Sequence, residues 1–392
     1  MTATQHGSFI ACVIVILAIT MQARAGGERV SDKWFSIASV LSHDEAFAGA
    51  HDVELSGNLA FVPGKGGSIA VVDIADPHKP RLLWFKRDGK ELEDSETVLP
   101  VGKHLLLGAR DLFSLDVSNP KQPVFLKKVA DRSDGRIDRI NGMVKRGDHV
   151  FAANKAGWID VFDVSDIKSP TLFGAFETRR KLGLVSPHDV DAFGDCIAIV
   201  APNGFGRNLV GQFAIFKAMD TAGRALPVDR WVLHSITESR KLIGANRVQV
   251  SGSFAYTGGS WSAGPREKQG PGTRGDLAVI DISDPEKPRI VAAVPFSDTR
   301  GPNGLTVAGK VVFLAGGQSV DAVDVSDPHR PVKLGSQTFP RLKESKRTDN
   351  AHDLVYRGGY LYVSCQTDDA FMILKVGDMR ILDLADSPPK RP

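Results

Sequence analysis

A seven-bladed β-propeller of four-stranded antiparallel blades is the fold class that this sequence predicts, on three observations. Seven glycines close short turns at a slowly varying period: Gly57, Gly102, Gly147, Gly194, Gly252, Gly309 and Gly358. Periods of that size belong to arrays in which no unit can bury its own face alone. Between these glycines, alternating and continuous apolar runs recur, four to a unit, each bounded by turn residues. The third observation is a repeated turn, D-[IV]-[SA]-[DN]-x-x-x-P, at Asp73–Pro80, Asp116–Pro123, Asp163–Pro170, Asp281–Pro288 and Asp324–Pro331. Its aspartate and serine side chains bond nearby amides and its prolines fix φ, so its aspartates are expected as turn formers rather than metal ligands.

Composition agrees. A chain of 392 residues at 42% hydrophobic supports a large core, and 39 glycines with 22 prolines suit a turn-rich all-β protein. The net charge of +3 is too small to point to a nucleic-acid partner by itself.

The elements follow in chain order. Residues 1–25 read as a signal peptide. Phe9–Met21 is an apolar run too short to span a bilayer, and Ala23-Arg24-Ala25 gives a small-x-small cleavage pattern before Gly26. Residues 26–384 are expected to form one domain, without a transmembrane segment, exported to the periplasm, the cell surface or the medium. Trp34–Leu41 precedes unit one as a fourth strand precedes each later unit, so it is expected to complete blade seven. Unit six shows the pattern of a blade. Gly304–Ala308 alternates, Val311–Ala315 is continuously apolar, Val320–Val325 ends in the Asp-Pro turn, and a fourth strand starts at Val332. Unit seven retains only Met379–Leu384 as a weak fourth strand, and residues 385–392 read as a flexible tail. Cys196 and Cys365 fall on the second strands of units four and seven, where a disulfide would cross the ring, so both are expected as buried thiols.

The turn motif, following a G-[NK]-x-x-[YF]-V type strand, resembles the LVIVD-repeat family of exported bacterial propeller proteins. The resemblance spans about residues 51–376 and is degenerate in units four and seven, where the Asp-Pro turn is lost. It implies a propeller at the cell surface or in the periplasm. It implies no particular reaction.

Six residues before each turn glycine stands a polar residue: His51, Glu96, Asn141, His188, Asn246, Asn303 and His352. Two residues later every unit is apolar, so the polarity belongs to this one register. In a closed ring these residues surround the channel mouth. One reading is that they satisfy loose backbone groups at the strand starts. The other is a metal centre: His51, Glu96, His188 and His352 supply imidazole and carboxylate donors suited to Zn, Mn or Cu, with Asp52, Asp189 and Asp353 orienting the rings.

The loops on the same face carry a formal net charge of about +7 against +3 for the whole chain, which favours anionic ligands. Candidate ligand-binding residues are therefore Asn141, Asn246, Asn303, Arg247, Arg179, Arg180, Lys181 and Arg207, with Trp261 and Arg266 in the long loop 258–275. These observations support binding of an anionic ligand such as an acidic polysaccharide, or of a protein partner. A metal-dependent lyase or hydrolase acting on an acidic carbohydrate is an alternative, as is a copper oxidoreductase. No Ser-His-Asp order, Cys-x-x-Cys or haem-attachment motif appears, so whether the protein is an enzyme is left open at this level.

Overall fold

The computed structural model describes residues 34–130, 137–202, 210–259, 276–298, 301–344 and 350–387. The expected signal peptide, Arg207, Trp261 and Arg266 lie outside these residues. Seven four-stranded antiparallel sheets follow one another in chain order. Blade six is Gly304–Ala308, Val311–Gly316, Ser319–Asp324 and Val332–Thr338. Its second strand is buried throughout, as the continuous apolar run requires, while its fourth is exposed at both ends and buried in between.

Blade seven closes the ring. Its own strands are Ala351–Arg357, Tyr360–Cys365 and Ala370–Val376, and the fourth is the N-terminal segment Phe35–Ser42, running from Phe35 opposite Val376 to Ser42 opposite Ala370. Phe35 is fully buried and meets Phe313 of blade six edge to face at 6.3 Å. Met379–Ala385 is a helix rather than a strand, because Asp378 caps it by accepting from the amides of Arg380 and Ile381. Ala385 is its last residue and is buried, so the tail begins later than the sequence suggests.

The core lies between blades rather than within them. Seven hydrophobic clusters occupy the seven blade-to-blade interfaces. One example joins Val53, Val62 and Val72 of blade one to Tyr362, Phe371 and Ile373 of blade seven. No blade has a complete core of its own, which is why the repeat must close.

The Asp-Pro turns have the expected chemistry. Asp73, Asp116, Asp163, Asp281 and Asp324 each accept the amide two residues on at 2.8–3.0 Å. Cys196 and Cys365 are free and buried, and burial pushes the Cys196 thiol up to about 12.

Candidate functional site

The polar register forms a chain of blade-to-blade links at the channel mouth. His51 Nδ1 donates to the carbonyl of Glu96 at 2.7 Å, and His352 Nδ1 to the carbonyl of His51 at 2.7 Å. Asn141 Nδ2 donates to the carbonyl of His188 at 2.7 Å, and Asn246 Nδ2 to Asn303 Oδ1 at 3.3 Å. His188 instead turns Nδ1 onto Ser186 in its own loop, at 2.8 Å. Satisfying backbone groups between blades is thus one task of this register. The carbonyl partners have a chemical consequence. A carbonyl accepts only, so all three Nδ1 atoms carry the proton and each neutral ring leaves its lone pair on Nε2. The imidazoles are held neutral, their pKa values pushed well below the ordinary histidine range by burial and by surrounding cations.

One residue further on, the aspartates do not orient the imidazoles. Asp52, Asp189 and Asp353 each accept the amide of the next residue at 2.9 Å. Asp52 Oδ2 also takes the amide of Val98 in blade two at 3.1 Å, and Asp189 Oδ2 that of Val248 in blade five at 2.9 Å. The first strand of each blade is an edge, with amides facing the neighbouring blade instead of a ladder, and these carboxylates satisfy them. The carboxylate also needs room on the side of the preceding blade. At Gly142 a Cβ would lie 2.0 Å from Asp189 Oδ1 and 2.9 Å from its Cα. Gly142→Ala is therefore expected to cost about 1–3 kcal/mol in urea denaturation. An unchanged midpoint would show that the two strands have slack.

Arg247 fills the channel below the mouth. It is buried, donates to the Asn141 carbonyl at 3.3 Å and to Asp353 Oδ2 at 3.3 Å, and stands 3.9 Å from Asp52 Oδ1. One guanidinium thus faces several carboxylates. Burial raises Asp189 to about 7 and Glu54 to about 8, with Asp52 adding to the shift at Glu54, while Arg247 opposes both. Burial likewise holds Asp353 well above the ordinary carboxylate range.

Beside the mouth lies a cavity of about 420 Å³ lined by Lys65, Arg139, Lys155, Arg179, Ser186 and His188. Lys65 and Lys155 occupy matching turns between the second and third strands of blades one and three. Both hold the buried carboxylate of Glu96, Lys65 at 3.6 Å and Lys155 in a closer hydrogen bond. Burial pushes Glu96 up, but the two ammonium groups outweigh it and hold it below its ordinary value. Burial brings Lys155 down to about 8 against the pull of Glu96. Arg139 stands 3.6 Å from Asp138. Arg179 donates Nε to the Val185 carbonyl at 3.2 Å, and among the described residues it has no carboxylate partner.

Of the three consecutive basic residues read from the sequence, only Arg179 lines this cavity. Arg180 is exposed and pairs with Glu177 at 3.4 Å, and Lys181 Nζ lies 4.9 Å over the Phe176 ring. Successive residues of a helical turn point about 100° apart, so three in a row cannot serve one site. The metal-candidate set is drawn together only in part. The His51 and His352 rings lie with centroids 3.9 Å apart at a tilt of 38°, and His51 Nε2 is 4.0 Å from Glu96 Oε2. Among the described residues, no group of three or more His, Cys, Asp or Glu side chains is placed to hold a metal ion. The sequence reading passed over Lys65, Arg139 and Lys155. The signal for two of them was present, since Gly64-Lys65-Gly66 and Asn154-Lys155-Ala156 put a lysine at the same turn position of two repeats.

Comparison with known proteins agrees with this fold. The model of the LVIVD repeat matches residues 49–84 and 272–294. No curated protein sequence matches the chain. Among solved structures, the WD40 domain of Neurospora crassa Pan2 is similar at a TM-score of 0.60 and 11% identity, covering 89% of this chain and 97% of that one. The WD40 β-propeller domain of Doa1 is similar at a TM-score of 0.57 and 9% identity, covering 87% and 96%. The computationally designed Ika8 protein has a TM-score of 0.52 at 11% identity, covering 86% and 98%. At these identities the likeness is one of fold alone. No helix among the described residues is long and apolar enough to cross a membrane. The chain is a seven-bladed β-propeller that carries LVIVD repeats.

Proposed function

We propose that this protein binds an anionic ligand in the cavity beside its channel mouth. The observation that carries the reading is the convergence of Lys65, Arg139, Lys155 and Arg179 on one cavity. They come from blade one, blade three and the loop entering blade four. Glu96 balances part of the charge at Lys65 and Lys155, Asp138 stands beside Arg139, and Arg179 is free to meet a ligand. Low-dielectric walls around unbalanced cations focus the field on the cavity and favour an anion there. The volume suits a small molecule or one or two residues of an acidic polymer.

Arg179→Glu should weaken binding of polygalacturonate about tenfold in titration calorimetry, and raised salt should weaken the wild type more than this variant. Arg180→Glu, on the solvent side of the same turn, should change affinity little. Binding that ignores salt, or equal loss from both variants, would count against a localised anion site.

A further inference from the structure

We infer that the ligand of this cavity is a polyhydroxylated carboxylic acid of the hexuronic type, rather than a bare oxyanion; the inference rests on the anion-binding reading above. It follows from what the cavity offers besides charge. Lys65, Lys155, Arg139 and Arg179 donate hydrogen bonds and suit a carboxylate, and the planar guanidinium of Arg179 suits it in bidentate fashion. A site built for sulfate or phosphate would consist of such donors alone, since a fully ionised oxyanion only accepts.

This cavity also presents an acceptor. His188 lines it, and the Nδ1 atom of that ring is committed as donor to the Ser186 carbonyl at 2.8 Å. Nε2 therefore bears the lone pair, and among the described residues it has no hydrogen-bond partner. Burial first, and then the charges of Lys155, Lys65 and Arg247, keep the ring from taking a proton of its own. A neutral imidazole acceptor set among cations finds its complement in a molecule that brings O–H groups together with its negative charge. The Ser186 hydroxyl, which can donate or accept, adds a second point of contact for a sugar hydroxyl. Buried or half-buried polar groups that a ligand leaves unpaired discriminate strongly against it, and that is the source of the selectivity.

The test compares D-galacturonate, sulfate and D-galactose as probes of the full mature protein by titration calorimetry. Galacturonate is expected to bind at least tenfold more tightly than either sulfate, which lacks the hydroxyl donors, or galactose, which lacks the charge. His188→Leu should reduce galacturonate affinity about fivefold more than it reduces sulfate affinity, and His188→Gln, which restores an acceptor, should recover most of the difference. Sulfate binding as tightly as galacturonate would overturn this inference while leaving the anion site standing. Failure of both anions to bind would remove the anion site as well. Equal loss of both affinities in His188→Leu, with a lowered melting temperature, would assign the ring a purely structural role. A digalacturonate arm separates two sources of the same chemistry: tighter binding than the monomer indicates a polymer end and equal binding a free sugar acid, and either supports the inference.

Discussion

Removal of residues 26–42 is expected to abolish cooperative folding, or nearly so, because it takes the fourth strand from blade seven. The deletion strips the Ala370–Val376 strand of one of its two partners and leaves that edge open. It also uncovers the cluster in which Phe35 packs with Phe313, Leu374 and Val376. Truncating one buried phenylalanine costs about 3–5 kcal/mol. A whole domain is held by only about 5–15 kcal/mol. Losing Phe35 with its entire strand therefore consumes most of the stability. Phe35→Ala provides the graded version and should lower the unfolding free energy by about 3–5 kcal/mol in urea titration. A deletion variant that melts at the wild-type temperature would show that blade seven is stable with three strands, and would undo the closure assignment.

Replacement of Arg247 should be the most damaging single change in the channel, and its cost should depend on pH. Arg247→Met leaves Asp353, Asp52 and Asp189 buried without their counter-charge. Breaking a buried pair from one side costs about 3–5 kcal/mol. The sign of the pH effect follows from linkage. Asp189 is raised to about 7 and Glu54 to about 8 in the folded state, so between their unfolded values and these the folded protein binds more protons than the unfolded chain. These two groups should accordingly contribute a fall in stability as pH rises through roughly 4 to 8, opposed up to about pH 6.5 by the three buried histidines, whose lowered values favour the fold as pH rises. Without Arg247, which lowers both groups, their folded values rise further. The decline should then steepen and continue to higher pH, so the variant loses more at pH 8 than at pH 5. Urea titrations of both proteins at the two pH values decide the matter. A loss that is the same at both would mean that the aspartates are not charged beside the arginine. Arg247→Lys keeps the charge but not the two-pronged geometry, and should recover only part of the loss.

The blades were legible because the information that makes them is local. Glycine spacing marks each hairpin, two-residue alternation separates half-buried strands from buried ones, and the Asp-Pro turn supplies its own hydrogen bonds. Even closure could be read, since Phe35–Ser42 lacks a preceding blade and Tyr360–Val376 lacks a following strand. Where the local rule was weak, the reading drifted. Met379–Ala385 carries a residual apolar pattern, but the Asp378 cap makes it a helix.

The site was legible only to the level of a register. Sequence alone determined that seven polar residues would meet at one end of the channel and that the loops there would be basic. Only the tertiary structure decided what each does. It turned His51 and His352 onto neighbouring carbonyls, committed Asp52 and Asp189 to edge amides of the next blade, and placed Arg247 inside the channel. It also chose Arg179 over Arg180 and Lys181, and joined it to Lys65, Arg139 and Lys155 from other blades. The physical reason is range. A strand or a turn is settled by residues a few positions apart, whereas a cavity is settled by side-chain directions on blades more than a hundred residues apart, which only the closed ring brings face to face.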